Sequence, residues 1–199
     1  MKVRFCFHKP KGERGIGKVI VGLTWFYALF YNWKALKYNY SHESEWSPDK
    51  DGNFRGYVKD GRTADGSPRD KVTVAYFGTC FSSTTRGKYN GVRFAPASEV
   101  LKHPDRWDYI EVEVDDELYE RGLVEASTLV GLGYDYLGVT LGFVNPIPVQ
   151  DSYKWYCSEV LDWLKYIWNI IPKRSKRISP RRAAFELAKI YGEPKPLKG

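Results

Sequence analysis

The chain has 199 residues, a formal net charge of +7 and a pI near 9.2. This length is typical of one domain with a core that needs no covalent staples, so we expect a single domain spanning residues 1–199. The three cysteines, Cys6, Cys80 and Cys157, are an odd number without C-x-x-C spacing, which argues against a disulfide framework and against a zinc ribbon. We expect no metal and no cofactor.

The first 17 residues are rich in basic residues and glycine and do not resemble a secretory signal. The most apolar run, Val19–Tyr31, is shorter than the roughly 20 residues that a membrane span needs, so it predicts a core helix and not a transmembrane segment. Free cysteines are typical of a reducing compartment, which favours a cytoplasmic location.

In chain order, alternating apolar and polar residues predict a series of β-strands. The predicted strands are Lys2–His8, Tyr38–Trp46, Val72–Phe77, Thr79–Ser83 and Trp107–Val114, with Gly78 either joining or separating the third and fourth. The segment between Ser47 and Lys71 is rich in turn formers and poor in core residues. It predicts a surface excursion with a hairpin from Phe54 to Val58.

Apolar residues at three- and four-residue spacing predict the helices. The predicted helices are Lys18–Leu36, Glu117–Val130 with Asp115 or Asp116 as N-cap, one that opens at or beside Cys157, and Arg181–Tyr191 after a Ser179-Pro180 cap. The tail from Gly192 contains two prolines and predicts a loose end.

Cys157 lies where an apolar helix begins, within Trp155-Tyr-Cys-Ser-Glu-Val160. Unpaired N–H groups and the helix dipole favour a thiolate at such a position and lower the pKa of the thiol, which is how a nucleophile is made. The structural interpretation is a small buried hydrophobe, which is what a free cysteine usually is. Both interpretations fit the position alone.

His42 lies in a predicted strand and shares a face with Tyr40, Ser44 and Trp46. Glu43 and Glu45 should point to the other face of this strand. A single histidine in a strand is more often structural than catalytic, so the other motifs of the chain decide its interpretation.

Four short motifs follow one another along the chain. They are Ser41-His42; Gly78-Thr-Cys-Phe-Ser-Ser83 with Gly91-Val-Arg-Phe94; Tyr134-Asp-Tyr136; and Tyr156-Cys-Ser-Glu-Val160. In this order they resemble the circularly permuted papain-like hydrolases of the NlpC superfamily, most of all small members encoded by bacteriophages. The resemblance implies an α+β fold in which a small antiparallel sheet packs against helices and a cysteine at a helix N-terminus faces a histidine on the sheet.

The resemblance also implies a function, that of a cysteine peptidase or amidase acting in the host cytoplasm. Cys157 would attack the carbonyl of an amide or related acyl bond, and His42 would accept the thiol proton. Tyr134 would donate a hydrogen bond to the oxyanion, and the alternative is a core tyrosine whose hydroxyl is satisfied within the fold. The resemblance leaves three sources of the acyl group open, a peptide, the cell wall and a lipid, and transfer to an acceptor other than water is an alternative to hydrolysis.

The same resemblance implies a third polar group that orients the imidazole. Ser82 is our choice for it, with Ser83 and Ser44 as substitutes. Related proteins carry a carboxylate at one of these places, and this chain has none there. A hydroxyl can hold a tautomer but stabilises an imidazolium less than a carboxylate does.

A second interpretation, from a different class, is a non-catalytic interaction protein that keeps the fold. A basic run between Lys173 and Arg182 would then bind a host protein or nucleic acid. Such runs are usually solvated loops, and no recognised nucleic-acid module accompanies this one.

Overall fold

An antiparallel β-sheet with helices packed against it dominates the part of the chain that the computed structural model describes, residues 1–10, 16–46, 57–62, 68–75, 78–85, 90–141, 153–175 and 178–198. The strands are β1 (Lys2–His8), β2 (His42–Trp46), β3 (Tyr57–Arg62), β4 (Pro68–Ala75), β5 (Thr79–Thr84), β6 (Gly91–Pro96), β7 (Trp107–Glu113) and β8 (Lys195–Pro196). The helices are α1 (Ile16–Tyr31), α2 (Ala97–Val100), α3 (Asp116–Leu129), α4 (Tyr136–Leu141), α5 (Cys157–Ile167) and α6 (Pro180–Tyr191), with 3-10 turns at Trp33–Lys37 and Pro104–Arg106. The α+β class is therefore confirmed.

The main sheet has the strand order β6-β5-β2-β1-β7-β8, and every pair in it is antiparallel. The strands β3 and β4 form a separate two-stranded ribbon among the described residues. In the main sheet β2 lies between β1 and β5, and His8 is paired with His42 across the first of these contacts. The strand that carries His42 is thus held on both sides.

The two faces of the main sheet differ in what covers them. Alternation along β1 sends Val3, Phe5 and Phe7 to one face, where all three are fully buried. Burying a side chain of this kind contributes roughly 2 kcal/mol. The helix α5 packs on this same face, since the Phe5 ring lies 6.3 Å from the ring of Trp168, the residue that ends α5.

Two predicted helix starts are confirmed by their caps. The Asp115 carboxylate accepts hydrogen bonds from the backbone N–H groups of Glu117 and Leu118 at the start of α3. The Ser179 hydroxyl accepts one from the backbone N–H of Arg182, and proline follows it in the first turn of α6. Each cap satisfies helix N–H groups that have no partner within the helix.

Two sequence predictions are wrong at the ends of the chain. The tail is not loose, because Lys195 and Pro196 pair with the edge of β7 and the Leu197 N–H donates to the Trp107 carbonyl. The helix α1 is not simply a core helix, because Ile20 is buried while Trp25 and other large apolar side chains are exposed. No helix among the described ranges is both long and apolar enough to cross a membrane.

The turn-rich segment contains more regular structure than we expected. The strand β3 begins at Tyr57 and pairs with β4, so a hairpin exists but extends beyond the predicted range. Phe54, where we placed its start, lies outside the described residues. Gly78 separates two strands and adopts a positive φ of 76°, a conformation that glycine accepts without strain.

Candidate active site

The helix α5 begins at Cys157 because the residues behind it form a buried apolar stripe. Leu161 and Leu164 are fully buried, and Trp168 continues the same face. Tyr156 precedes the helix in an extended conformation and provides no side-chain cap. The thiol therefore lies among the N–H groups that open the helix.

The Cys157 thiol is almost fully buried, and the Ser158 Oγ lies 3.9 Å from its sulfur. The backbone N–H of Glu43, on β2, and the Ser158 side chain both lower the pKa of the thiol. Burial outweighs them and raises the pKa to about 11. The sequence predicts a lowered pKa at this helix end, whereas burial raises it, so the resting group is a thiol and not a thiolate.

His42 begins β2 and lies beside the residue that we chose to orient it. Its Nε2 is 3.2 Å from the Ser82 hydroxyl on β5. The same hydroxyl donates to the Glu43 carbonyl at 2.7 Å, and a hydroxyl has one proton to give. Its contact with His42 therefore requires Nε2–H as the donor, which leaves Nδ1 of the neutral ring as an acceptor.

The two substitutes for Ser82 make different contacts. The Ser83 hydroxyl donates to the Trp155 carbonyl, on the side of the sheet where α5 packs. The Ser44 hydroxyl donates to backbone carbonyls, that of Phe81 among them. Among the three candidates, the structure brings Ser82 to the imidazole.

The thiol meets β2 at its backbone and does not meet the imidazole directly. Glu43 points toward α5, where it pairs with Lys165, so alternation sends the His42 ring toward the other face. The contacts described for the ring are the Ser82 hydroxyl and the Trp107 ring, whose centroid lies 6.2 Å away. The structure therefore places the thiol against the peptide that follows His42, and a hydrogen bond from thiol to imidazole is not among these described contacts.

Tyr134 lies close enough to Cys157 for their charges to interact. Burial raises the pKa of the Tyr134 phenol well above its usual value, and the Cys157 thiol contributes to the rise. The phenol thus stays protonated at neutral pH, as a hydrogen-bond donor must. Asp135, the next residue, braces the loop by accepting the backbone N–H of Gly138 at 2.7 Å.

Sequence reasoning missed an ion pair directly behind the thiol. Glu43 is fully buried and forms a salt bridge with Lys165, which is 2% exposed. Burial raises the pKa of the Glu43 carboxyl, and the Lys165 ammonium opposes that rise. The signal was a lysine four residues after Leu161, on the buried side of α5.

A cavity of about 720 Å³ opens beside His42 on the face away from α5. Ser44 and Ser82 line it together with His42, and Trp107 forms part of its wall. Cys157 is not among the described residues that line this cavity. The cavity therefore lies next to His42, the predicted base, whereas the Cys157 thiol lies on the opposite side of β2.

In the described part of the chain, no group of three His, Cys, Asp or Glu side chains is arranged to hold a metal ion. Cys6 and Cys80 are also buried, and burial raises the pKa of both thiols. Comparison of the chain with protein-family models, with curated proteins and with solved structures finds no match in any of the three.

Proposed function

We propose that the protein is a cysteine hydrolase of the permuted papain-like kind, a peptidase or amidase with Cys157 as nucleophile and His42 as general base. The observation that carries the proposal is that the backbone N–H of Glu43, the residue after His42, lies close enough to the Cys157 thiol to lower its pKa. The nitrogen of that group is two covalent bonds from the His42 Cα. The nucleophile and the backbone of the base are thus neighbours, although their elements lie at opposite ends of the chain.

The tautomer of His42 supports the role of base. Because Nε2–H donates to Ser82, the lone pair of Nδ1 can accept a proton. Because the His42 ring lies on the face of β2 away from the thiol, attack then requires the ring to swing around the start of the strand and present Nδ1 to the sulfur as substrate enters. Ser82 would act as a positioning residue in this scheme.

The reaction has two halves. In the first, the Cys157 sulfur bonds to the acyl carbon while its proton passes to His42, and the carbonyl electrons move to the oxygen. The oxyanion would accept hydrogen bonds from the Tyr134 phenol and from backbone N–H at the start of α5. Collapse expels the amine, which takes the proton from His42. In the second half, water gives a proton to His42 and attacks the thioester, which releases the acid and restores the thiol.

The raised pKa of the thiol determines which form of catalysis is expected. With a pKa near 11, Cys157 does not hold a standing ion pair with His42 at neutral pH. The proton must move during attack, which makes His42 a general base and not a partner of a preformed thiolate. The burial of the thiol also requires substrate to displace part of its cover.

The experiment that tests the proposal is trapping of the acyl-enzyme. The folded chain is mixed with a panel of aryl esters and aryl thioesters, and intact mass followed by peptide mapping locates any acyl adduct. We expect one adduct on Cys157, its loss in Cys157→Ala, its retention in Cys80→Ala, and at least tenfold slower formation in His42→Ala. Failure of the whole panel to acylate Cys157, or equal acylation of His42→Ala, would refute the hydrolase.

The interaction protein that was our second interpretation receives less support. Arg181 of the basic run is 2% exposed and donates to the Leu36 carbonyl and to the Asn39 amide oxygen. The Arg174 guanidinium lies over the Trp155 ring at 5.4 Å. Lys176 and Arg177 lie outside the described residues. Part of the run is therefore used to hold the fold, which leaves fewer cations for a nucleic acid.

A further inference from the structure

All three histidines of the chain line the cavity beside His42. His8 and His42 face each other as a cross-strand pair of β1 and β2. His103 comes from the loop before the 3-10 turn at Pro104–Arg106. Residues distant in sequence thus bring their imidazoles to one concave surface.

Cationic side chains join the histidines there. Arg93, Lys102 and Arg106 line the cavity, and Glu99 is the one acid among its described lining residues. Glu99 contacts the Arg93 guanidinium at 3.4 Å but its side chain is 56% exposed. Positive charge therefore exceeds negative charge even with all three imidazoles neutral.

The backbone fixes this cluster in place. The N–H of Lys9, next to β1, donates to the Arg106 carbonyl at 2.7 Å, and the N–H of Arg106 donates to the His103 carbonyl at 3.0 Å. Trp107 follows in β7 and is 2% exposed, with its ring 5.0 Å from the ring of His8. A preformed site loses less entropy when a ligand binds than a mobile one does.

We propose that this cavity binds an anionic group, a carboxylate or a phosphate, of the molecule that the protein acts on. Guanidinium groups recognise both anions through paired N–H donors, and a lysine adds a point charge. Because His42 lies on the wall of the cavity, the anion would lie beside the proposed general base, on the side of β2 away from the thiol. Its assignment as a substrate site rests on the proposed hydrolase, whereas anion binding itself does not.

Binding can be measured without any turnover. Three histidines give three C2–H proton resonances, which can be followed in the full chain as inorganic phosphate or glutarate is added, one for each anion class. We expect saturable shifts for His42 and His103, and at least fivefold weaker binding in Arg106→Ala. Lys189→Ala, which removes a cation on α6, is the matched control and should bind like the wild type.

The outcomes separate the two proposals. Absence of saturation by either anion, or equal binding by Arg106→Ala and the wild type, would overturn the anion site. Cys157→Ala should bind the anion unchanged, because the thiol does not line the cavity. If that variant binds but the wild type never acylates, the hydrolase is wrong and the anion site stands.

A separate observation concerns α1, whose outward face is apolar. The face against the protein carries the smaller side chains Ile20, Thr24 and Ala28. The exposed stripe carries larger ones at helical spacing, among them Trp25 at 50% and Phe26 at 58% exposure, and Trp33 in the next turn is 69% exposed. The exposed apolar side chains of this stripe are Val19, Trp25, Phe26, Leu29 and Trp33. A soluble surface rarely shows such a patch without a partner.

We infer that this stripe binds the surface of an anionic lipid bilayer. Residues 16–37 contain no Asp or Glu, and the exposed Lys18 and Lys34 flank the stripe. Lysines beside exposed tryptophan and phenylalanine are typical of helices that lie in the membrane interface. With 16 residues α1 is too short to span a bilayer, so it would lie along the surface.

Sedimentation with vesicles tests this inference on the full chain. Vesicles of phosphatidylcholine with about one third phosphatidylglycerol should retain the protein, and pure phosphatidylcholine vesicles should retain it at least fivefold less. Trp25→Ser with Phe26→Ser should abolish retention, while Ile190→Ser, which removes an exposed apolar side chain on α6, should not. Retention unaffected by the double variant would overturn the inference, as would self-association that the double variant abolishes in the absence of lipid.

Discussion

The Nε2 nitrogen of His42 lies 3.2 Å from the hydroxyl of Ser82, on the neighbouring strand of the sheet. The hydroxyl also donates to the Glu43 carbonyl, so it is fixed by the backbone that carries the histidine. This arrangement holds one tautomer through a hydroxyl. The Ser82 hydroxyl can therefore orient the imidazole, but it stabilises the protonated ring less than a carboxylate would.

Replacing Ser82 by alanine removes the acceptor for Nε2–H. We expect kcat for hydrolysis to fall about tenfold with KM nearly unchanged, because the ring loses orientation and not its ability to take a proton. Ser82→Thr keeps the hydroxyl and should restore most of the rate. Ser44→Ala is the control, since that hydroxyl bonds the Phe81 carbonyl and lies on the same cavity wall. Equal losses in the two alanine variants would contradict an orienting role.

The second prediction concerns the thiol. With a pKa near 11, Cys157 should be alkylated by iodoacetamide at a rate that rises about tenfold per pH unit from pH 7 to 10, because the thiolate is the reacting form. Cys6 and Cys80 should react more slowly in the folded protein, since burial raises the pKa of each of them well above the ordinary value. Peptide mass spectrometry gives all three rates. An alkylation rate of Cys157 that stops rising below pH 8 would contradict the prediction, because it would mean that the thiol is already ionised there.

The third prediction concerns Glu159 in the first turn of α5. Burial raises the pKa of its carboxyl to about 7, and the nearby Asp135 adds to the rise. Because the pKa is higher in the folded state than in the unfolded state, the stabilisation is complete below the ordinary pKa and is lost as the pH rises through 7. Glu159→Gln should therefore raise the free energy of unfolding by roughly 2 kcal/mol at pH 8.5 and change it little at pH 4.

Urea unfolding at the two pH values measures this difference. Glu120→Gln changes an exposed acid on α3 and serves as the matched control. Its effect should be the same at both pH values. A Glu159→Gln variant without pH dependence relative to the wild type would mean that the carboxyl is ionised in the folded protein at little cost.

The fourth prediction concerns the buried pair of Glu43 and Lys165. Lys165→Met leaves a carboxylate without its partner in the interior and should lower the free energy of unfolding by about 3–5 kcal/mol. The double variant Glu43→Gln with Lys165→Met should recover much of this loss, because neither charge remains. Urea denaturation gives both values. A single variant that costs less than about 1 kcal/mol would show that water reaches the carboxylate.

The local parts of this fold could be predicted from sequence, because they depend on residues close in the chain. The period of two along Lys2–His8 and the Asp115 cap gave β1 and the start of α3 nearly to the residue. Alternation alone also predicts that the side chains of Glu43 and His42 point to opposite faces of the strand. Such features need no knowledge of what packs against them.

What could not be predicted depends on partners far away in the chain. Alternation predicts the face of β2 on which the Glu43 side chain lies. It does not predict that Lys165, 122 positions later, pairs with that side chain. The burial that raises the pKa of Cys157 likewise depends on the strand against which α5 packs. The two residues of β8 are too few to show a period, and an apolar run such as α1 does not reveal which of its faces is exposed.

The pair of Glu43 and Lys165 has a consequence for synthesis on the ribosome. The strand that holds the glutamate emerges early, whereas the lysine follows near the end of translation. Until then the nascent chain carries an acid on a sheet face that α5 does not yet cover, beside the apolar side chain of Phe7. Assembly of the site must therefore wait for the last fifth of the chain.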